Sequence, residues 1–475
     1  MSGTALVWFR RDFRLADNPA LDHARGRHRR VVPVYVHDPE SEGHWAPGAA
    51  SRWWLHDALG DLDERLASRG SRLIVRAGET GGQLDELVRE TGAVAVYWNR
   101  LYEPAIVERD RRIKRRLRRA GLEATGFRAA VLFEPWELQR DGSASSGGGP
   151  YKVFTPYWNR MQRDWRGVAR RPEPRELPGV DPGIRSQTVE SLGLLPDHPW
   201  PDSLAEHWEI GELAGRRRLG EFADDAVRHY HGRRDRPDRP GTSRLSPYLH
   251  FGHVSPAQAV AALSPSGELP GGRGPLAFVR ELAWREFSTM LLHHFPETPD
   301  RPLQGRFEAF PWRKPDDYAD DLHAWQRGRT GVPLVDAGMR ELRATGWMHN
   351  RVRMVVASYL TKNLLIPWLE GARWFWDELV DADLANNTQG WQWTAGCGAD
   401  AAPYFRVFNP ELQAGRFDPD AAYIGRWCPE LGGLGPKALA RLGDDERRRR
   451  GYPAMRIDLK AGRERALAAY GRVSG

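Results

Sequence analysis

The sequence predicts an α/β fold with a parallel sheet in its N-terminal part, followed by a larger all-helical domain. Short runs rich in β-branched residues alternate with helical patterns up to about residue 132, and strand patterns end at about residue 204. Alternating strands and helices favour a parallel sheet covered by helices on both faces. A chain of 475 residues is also too long for one compact core. We therefore expect an α/β domain over residues 1–132, an interdomain linker over 133–203 and a helical domain over 204–475.

Each expected element follows from the spacing of its apolar residues. Buried strands are predicted at residues 4–9, 31–36, 73–76 and 94–98, where β-branched and aromatic residues are continuous. Apolar residues at helical spacing predict helices at residues 51–68, 83–90, 103–120, 276–293, 334–345, 352–365 and 374–380. Between the two domains, the Ser- and Gly-rich residues 143–150 are typical of a flexible linker.

The composition, with 40% hydrophobic and 28% charged residues, predicts a soluble globular protein. Two cysteines, Cys397 and Cys428, are too few for a disulfide framework and indicate a reducing, cytoplasmic location. No apolar run is long enough to cross a bilayer, since the best one is interrupted by Arg353 and Lys362. The net charge of +7 favours a polyanionic partner, although an arginine-rich composition explains it equally well.

Two motifs in the second domain combine polar and aromatic side chains. Residues 241–247, Gly-Thr-Ser-Arg-Leu-Ser-Pro, precede a helix expected from about Pro256. Their hydroxyl and backbone N–H groups can bind a phosphate, but a capped turn explains the same residues. Glu281, Trp284 and Arg285 are spaced to share one helical face. A carboxylate, an indole and a guanidinium on one face indicate a polar cavity rather than a dry core.

Two further motifs follow along the chain. Asn350, Arg353 and Met354 also share one helical face. Asp381 and Asp383 come shortly before several aromatic residues. No His or Cys cluster accompanies these two carboxylates at ligand spacing, so no metal site is predicted.

The order of these motifs resembles the photolyase/cryptochrome flavoproteins and, within them, the class I cyclobutane pyrimidine dimer photolyases. The likeness runs from Trp-Phe-Arg-Arg-Asp at residues 8–12 to Arg-Val-Phe-Asn-Pro at residues 406–410. The resemblance implies an FAD in the helical domain and UV-damaged DNA as the partner. It also implies a reaction cycle in which light excites reduced FAD, an electron passes to the dimer, the cyclobutane ring opens and the electron returns. Photolyases act on a lesion that has left the base stack.

The resemblance also implies which residues hold the FAD. Those implied for the FAD phosphates are Tyr230, Thr242, Ser243, Arg244, Leu245 and Ser246. Those implied around the flavin ring are Arg285, Arg353, Asp381, Asp383 and Asn387, the last of them at the flavin N5 edge. Arg353 is expected to pair with Asp381, because a buried carboxylate needs a charge partner. The sequence departs from the family pattern at Phe278, where some members have Trp near the adenine.

The positions that match the family's lesion pocket are Glu281, Trp284, Asn350, Met354 and Trp393. The two tryptophans offer apolar faces to the lesion, and a protonated Glu281 can donate a hydrogen bond to a pyrimidine carbonyl. The positions implied to grip DNA phosphates are Arg234, Arg351 and Arg406. Trp391, Trp368 and Trp312 match a tryptophan chain that relays electrons from the surface to oxidised flavin.

A second, light-harvesting chromophore is implied in the α/β domain, where residues 97–104 resemble the antenna region. Glu103 is expected to contact a 5,10-methenyltetrahydrofolate there, and an 8-hydroxy-5-deazaflavin is the alternative. The competing function is a cryptochrome-type blue-light photoreceptor without repair activity. Repair is favoured by Met354, where many cryptochromes carry His, by Trp393, where DASH-type members usually have Tyr, and by the short C-terminus at Gly475. A monomer is expected.

Overall fold

The computed structural model describes residues 3–140, 148–196, 200–401 and 405–474 in two compact units. The first unit comprises Met1–Tyr151, Thr155–Arg228 and Ser243–Pro296, and the second comprises Lys152–Phe154, His229–Thr242 and Glu297–Gly475. Residues 143–147 of the predicted linker lie outside the described residues. Because the two units interleave along the chain, the domain boundaries expected at residues 132 and 203 stay predictions.

The first unit contains the predicted parallel sheet. Its strands are β1 (Thr4–Phe9), β2 (Arg30–His37), β3 (Ile74–Ala77), β4 (Ala93–Asn99) and β5 (Glu123–Phe127). All neighbouring strands are parallel, and their order is β3-β2-β1-β4-β5. The sequence pattern missed β5, because this half-buried edge strand contains Glu123 and Gly126 and forms through its pairing with β4.

The described α-helices up to residue 294 lie between these strands and after them. They are α1 (Pro19–Arg27), α2 (Ala49–Ala67), α3 (Thr80–Thr91), α4 (Pro104–Arg119), α5 (Phe154–Arg163), α6 (Trp200–Ala205), α7 (Glu212–Asp224), α8 (Tyr230–Arg233), α9 (Ser246–His250), α10 (Pro256–Leu263) and α11 (Arg273–His294). Helices α1 to α4 form the crossover connections between successive strands. Buried apolar side chains from the sheet and from α3 and α4 form one core, in which Trp8 and Trp98 lie 5.9 Å apart between ring centroids.

All regular elements among the described residues of the second unit after 297 are helices, as expected. Its helices there are α12 (Pro315–Gln326), α13 (Pro333–Thr345), α14 (Asn350–Ser358), α15 (Trp368–Glu378), α16 (Leu384–Ala395), α17 (Pro410–Phe417), α18 (Ala422–Trp427), α19 (Pro436–Leu439), α20 (Asp444–Arg450) and α21 (Leu459–Gly471). Short 3₁₀ turns at Pro39–Trp45, Glu190–Leu192, Ala226–His229, Gly305–Ala309 and Pro429–Leu431 complete the two units. None of the described helices is both long and apolar enough to cross a membrane.

Two predicted helices have different bounds in the structure. The helix expected at residues 352–365 is α14, which ends at Ser358 and continues as one π-helical turn over Tyr359–Asn363. The helix expected from residue 374 begins at Trp368, because Pro367 is its N-cap and aromatic side chains start its first turn. The spacing of apolar residues does not predict the end of α14, because a π turn changes the helical period locally.

Candidate active site

Helix α11 of the first unit presents the first group of predicted site residues. Glu281, Trp284 and Arg285 are each half-buried, whereas the neighbouring residues Leu282 and Ala283 are buried. Arg285 donates from Nη1 to the carbonyl oxygen of Ala130 at 2.6 Å. Trp284 packs edge-to-face against Phe287, with 5.7 Å between ring centroids. The three side chains therefore lie on one partly exposed face of α11, beside buried residues of the same helix. Phe278, on the same helix, is buried against Phe222 at 4.8 Å.

Glu286, for which the sequence predicts no role, anchors this helix. The side chain is 2% exposed, and its two carboxylate oxygens accept hydrogen bonds from the backbone N–H groups of Leu132 and Phe133. Burial raises the pKa of Glu286 to about 7, and these two N–H groups counteract the shift only in part. The carboxylate thus ties the open face of α11 to the segment that follows β5.

The raised pKa of Glu286 predicts a loss of stability as pH rises through 7. The carboxyl has a pKa of about 4.3 in the unfolded chain, so its contribution to the free energy of unfolding is complete below that pH. As pH rises from this value through the folded pKa, that contribution, roughly 3 kcal/mol, is lost. Glu378, whose pKa burial also raises to about 7, titrates in the same range. We therefore expect the urea midpoint to fall from pH 5 to pH 8, and to fall less in Glu286→Gln. The control Glu268→Gln changes an exposed side chain. A Glu286→Gln profile parallel to wild type would contradict the assignment.

The predicted phosphate loop contains strained backbone. Arg244 has a φ of 50°, and its guanidinium lies over Trp208 at 4.4 Å from the ring centroid. Ser243 accepts from the backbone N–H of Leu245 at 3.3 Å through its Oγ, and from Arg218 Nε at 3.1 Å through its carbonyl. The loop is followed directly by α9, which begins at Ser246, and not only by the expected helix at Pro256. The two remaining predicted residues, Tyr230 and Thr242, belong to the second unit.

Helix α14 of the second unit carries Asn350, Arg353 and Met354. Asn350 is exposed and the other two are half-buried, whereas Val352 and Val355 are buried. Arg353 Nη2 donates to both carboxylate oxygens of Asp381, at 3.1 and 2.9 Å. The structure thus contains the ion pair that the sequence predicts. Arg353 also donates from Nε to the carbonyl of Met348 at 2.7 Å.

Asp383 and Asn387 lie at the start of α16. Asp383 is the N-cap of this helix and accepts from the backbone N–H of Asn386 at 2.9 Å. Asn387 donates from Nδ2 to the carbonyl of Ala372 at 2.9 Å, which leaves its Oδ1 as an acceptor for another group. Between these residues and the C-terminus of α16, Gln389 is buried and neither of its amide atoms has a partner among the described residues.

The aromatic residues of α16 have different surroundings. Trp391 is 2% exposed and packs edge-on against Phe375, with 5.0 Å between ring centroids. Trp393 is half-buried, donates from Nε1 to the carbonyl of Asp400 at 3.1 Å, and stacks with Phe408 at 6.3 Å. Trp368, at the start of α15, is 4% exposed. Trp312 is half-buried and lies 4.4 Å from Phe310 between ring centroids. The exposed fraction of the side chain thus increases along the predicted series of tryptophans, from Trp391 through Trp368 to Trp312.

The three arginines predicted to grip phosphates lie in the second unit. Arg406 is exposed, with its guanidinium 5.9 Å from the ring centroid of Trp393. Arg351 is half-buried and forms an ion pair with Asp235 at 2.9 Å. Arg234 is half-buried, 3.9 Å from the same carboxylate. The residues just before Arg406, numbers 402–404 of the predicted motif, lie outside the described residues.

Glu103, the predicted antenna contact, precedes α4 in the first unit. One carboxylate oxygen forms an ion pair with Arg11, and the other accepts from the backbone N–H of Tyr102 at 3.1 Å. A chromophore that contacts Glu103 therefore has to share this carboxylate with Arg11. Within the described residues there is no group of three His, Cys, Asp or Glu side chains that could hold a metal ion.

Two other residues that bear on the site carry no local signal in the sequence. Asp235 stands in an arginine-rich run and pairs with a residue far along the chain. Gly371, on α15, lies against the ring of Trp391 so closely that a Cβ atom there would overlap it. An acidic residue between arginines and a glycine inside an amphipathic helix are the only hints that the sequence offers for them.

Comparison with known proteins covers both units. A family model described as DNA photolyase matches residues 5–178, and one described as the FAD binding domain of DNA photolyase matches residues 278–472. The deoxyribodipyrimidine photo-lyase of Agrobacterium fabrum is 41% identical over 478 residues and 98% of each chain. Cryptochrome-1 of Arabidopsis thaliana is 38% identical over 91% of this chain and 63% of its own.

A solved structure gives the same result for the fold. The crystal structure of a bacterial class III photolyase from Agrobacterium tumefaciens has a TM-score of 0.92 and 40% identity, with 100% of this chain and 98% of that chain covered. The expectation of a class I enzyme is therefore not confirmed, whereas the two-part fold is.

Proposed function

Because the chain belongs to the photolyase/cryptochrome family, we propose that it repairs cyclobutane pyrimidine dimers in UV-damaged DNA, using blue light and a bound FAD. One observation carries this proposal. All five side chains predicted for the lesion pocket lie on helices and are exposed or half-buried beside buried neighbours. Indole and thioether surface that stays partly exposed is available for contact with an apolar ligand face, such as that of a pyrimidine dimer.

The residues predicted to hold FAD fit such a group. The orphaned amide of Gln389 and the acceptor oxygen of Asn387 indicate that α16 faces a polar partner. The Arg353–Asp381 pair gives a buried carboxylate the charge partner that such a group needs. Thr242, Ser243 and Ser246 would supply hydroxyl donors to the phosphates. When bound and reduced, the flavin supplies the electron that light drives to the lesion.

The orientation of the Asn387 amide bears on which redox form of the flavin would bind there. Since its NH₂ group donates to the Ala372 carbonyl, its Oδ1 is turned to the other side. An oxygen acceptor at that place would select a protonated N–H group on the flavin edge. Asn387 would therefore favour the reduced, protonated form of the cofactor over the oxidised form.

The lesion-pocket residues divide into an apolar and a polar set. Trp284, Met354 and Trp393 would cover the non-planar faces of the dimer and exclude water. Glu281 and Asn350 would hydrogen-bond the pyrimidine carbonyls, and a protonated Glu281 would stabilise the negative charge that an added electron places there. Arg406 would hold the DNA backbone without reading sequence.

Trp391, Trp368 and Trp312 would form the route by which oxidised flavin is reduced in the light. The increase in exposure from Trp391 to Trp312 supports this role, because the last member must reach an external electron donor. The route serves reduction of the cofactor and not the repair cycle. A second chromophore, a methenyltetrahydrofolate or a deazaflavin, would bind in the first unit near Glu103 and extend the range of useful light.

A cryptochrome-type photoreceptor is the second candidate, since Cryptochrome-1 of Arabidopsis thaliana is among the relatives. Met354 and Trp393 favour repair, because the thioether and the indole provide an apolar pocket that a His or a Tyr would make more polar. The chain spans 63% of that cryptochrome.

A repair assay tests the proposed function. Reduced protein is mixed with an oligonucleotide that carries one thymine dimer, and thymine absorbance is followed under blue light and in the dark. We expect recovery in the light only, and a repair yield several-fold lower in Glu281→Ala, because the variant loses the hydrogen bond to the pyrimidine carbonyl. The control Glu268→Ala, an exposed change in the same unit, should match wild type. A protein that binds FAD and photoreduces but shows no repair would favour the photoreceptor instead.

A further inference from the structure

Two arginines predicted to grip DNA share one carboxylate in the second unit. Asp235 accepts from Arg351 Nε at 2.9 Å and from Arg351 Nη2 at 3.0 Å, one carboxylate oxygen for each nitrogen. Arg234 Nε lies 3.9 Å from Oδ1 of the same carboxylate. All three side chains are between 28% and 32% exposed, so the cluster is screened only in part by water. A bidentate pair of this kind is the most directional ion pair that proteins form.

The other contacts of Arg351 place it against the predicted lesion pocket. Its Nη1 points to Met354 Sδ at 3.7 Å, and its guanidinium lies 5.3 Å from the ring centroid of Phe417. Its backbone N–H donates to Nδ1 of the buried His349 at 3.2 Å, which caps α14. Arg351 is therefore held on several sides, and two of the five N–H donors of its guanidinium are committed to Asp235.

The cluster has a lower positive charge than two arginines would have. Two guanidinium groups and one carboxylate sum to a single positive charge, so attraction to any phosphate backbone is weaker than an arginine pair gives. Non-specific binding to DNA depends mainly on the number of phosphates that are neutralised. Specific binding to a lesion depends in addition on where the remaining donors point.

We propose that Asp235 is a positioning residue that determines lesion specificity. It holds Arg351 beside Met354, so that the remaining donors meet a phosphate only when a dinucleotide occupies the pocket. Its carboxylate also neutralises one positive charge on the surface that undamaged DNA would contact. This inference rests on the proposed function, since it assumes that Arg234 and Arg351 contact DNA.

The proposal predicts that Asp235→Asn affects the binding of undamaged and dimer-containing duplex differently. Asp235→Asn removes the ion pair that holds Arg351 and adds one positive charge, so undamaged duplex should bind more tightly, roughly threefold to tenfold at low salt. Its dependence on log salt should steepen by about 0.9, the value for one more neutralised phosphate. Dimer-containing duplex should gain less or lose affinity, because Arg351 is no longer fixed beside Met354. The ratio of the two affinities therefore falls.

The test measures binding of the full-length, FAD-loaded protein to both duplexes by fluorescence anisotropy in the dark, from about 50 to 200 mM salt. Asp235→Asn is compared with Asp235→Glu, which keeps the charge and should restore most of the ratio. Asp420→Asn is the matched control: this exposed carboxylate lies 3.8 Å from Arg236 and 3.9 Å from Arg239, and its loss changes the net charge equally. It should leave the ratio unchanged.

Two results would overturn the proposal. The first is a proportional loss of affinity for both duplexes in Asp235→Asn that Asp235→Glu does not restore, as expected of a merely structural carboxylate. The second is unchanged DNA binding in Arg234→Ala and Arg351→Ala, which would show that these arginines do not grip DNA. Light-driven repair by wild-type protein is measured separately, so that failure of the specificity role and failure of the proposed function are distinguished.

Discussion

Replacement of Arg353 by Met is expected to lower the free energy of unfolding by about 3 kcal/mol and to leave the purified protein largely without flavin. The variant removes the only described ion-pair partner of Asp381, whose side chain is 4% exposed, and the hydrogen bond to the Met348 carbonyl. A buried carboxylate without a partner costs about 3–5 kcal/mol. We take the lower value because Arg353 itself is 24% exposed. Urea unfolding and the ratio of absorbance at the flavin and protein bands measure the two effects.

A second variant separates stability from cofactor binding. In Arg353→Met/Asp381→Asn the unpaired charge is gone, so most of the stability should return while flavin content stays low. The exposed pair between Arg448 and Asp445, with side chains 74% and 81% exposed, provides the control. Arg448→Met should change stability by less than about 0.5 kcal/mol, because exposed ion pairs contribute little. Full flavin content in the double variant would contradict a cofactor-binding role for this pair.

Replacement of Gly371 by Ala is expected to displace Trp391 and to slow photoreduction of the flavin. A Cβ atom at residue 371 would lie 2.6 Å from Cζ2 of Trp391, and closer still to Cη2 and Cζ3. Real side chains do not approach so closely, and Trp391 is 2% exposed, with Phe375 on another side. Overpacking of this kind costs about 1–3 kcal/mol. Protein reduced chemically should still repair dimers, because the relay serves only reduction of the flavin.

A matched glycine lies beside the same tryptophan. Gly390 precedes Trp391 on α16, is exposed, and has nothing within 4 Å of its expected Cβ position. Gly390→Ala should therefore stabilise the protein by about 0.5–1 kcal/mol, because alanine loses less entropy in a helix. Stopped-flow absorbance under blue light, with an external reductant, compares the two variants. Equal photoreduction in Gly371→Ala and wild type would show that the ring tolerates displacement or that Trp391 is not on the route.

Features that depend on short-range periodicity could be predicted from the sequence. Continuous β-branched runs predicted β1 to β4, and the spacing of Glu281, Trp284 and Arg285 predicted their common helix, because side chains three and four residues apart lie on one face. The ordered motifs also indicated the family and the Arg353–Asp381 pair. The lesion-pocket roles stay predictions until they are tested by substitution.

The distant residues that hold these side chains in place become visible in the folded chain and not in the sequence. Glu286 meets Leu132 across 154 residues, and Asp235 meets Arg351 across 116 residues. Neither carboxylate differs in its local pattern from an exposed one, so sequence spacing cannot distinguish them. The same holds for β5, which pairs through its backbone with β4, and for Gly371, which is required by the ring of Trp391. Contacts of this kind depend on how elements pack after the chain has folded, and packing leaves no periodic signal in the sequence.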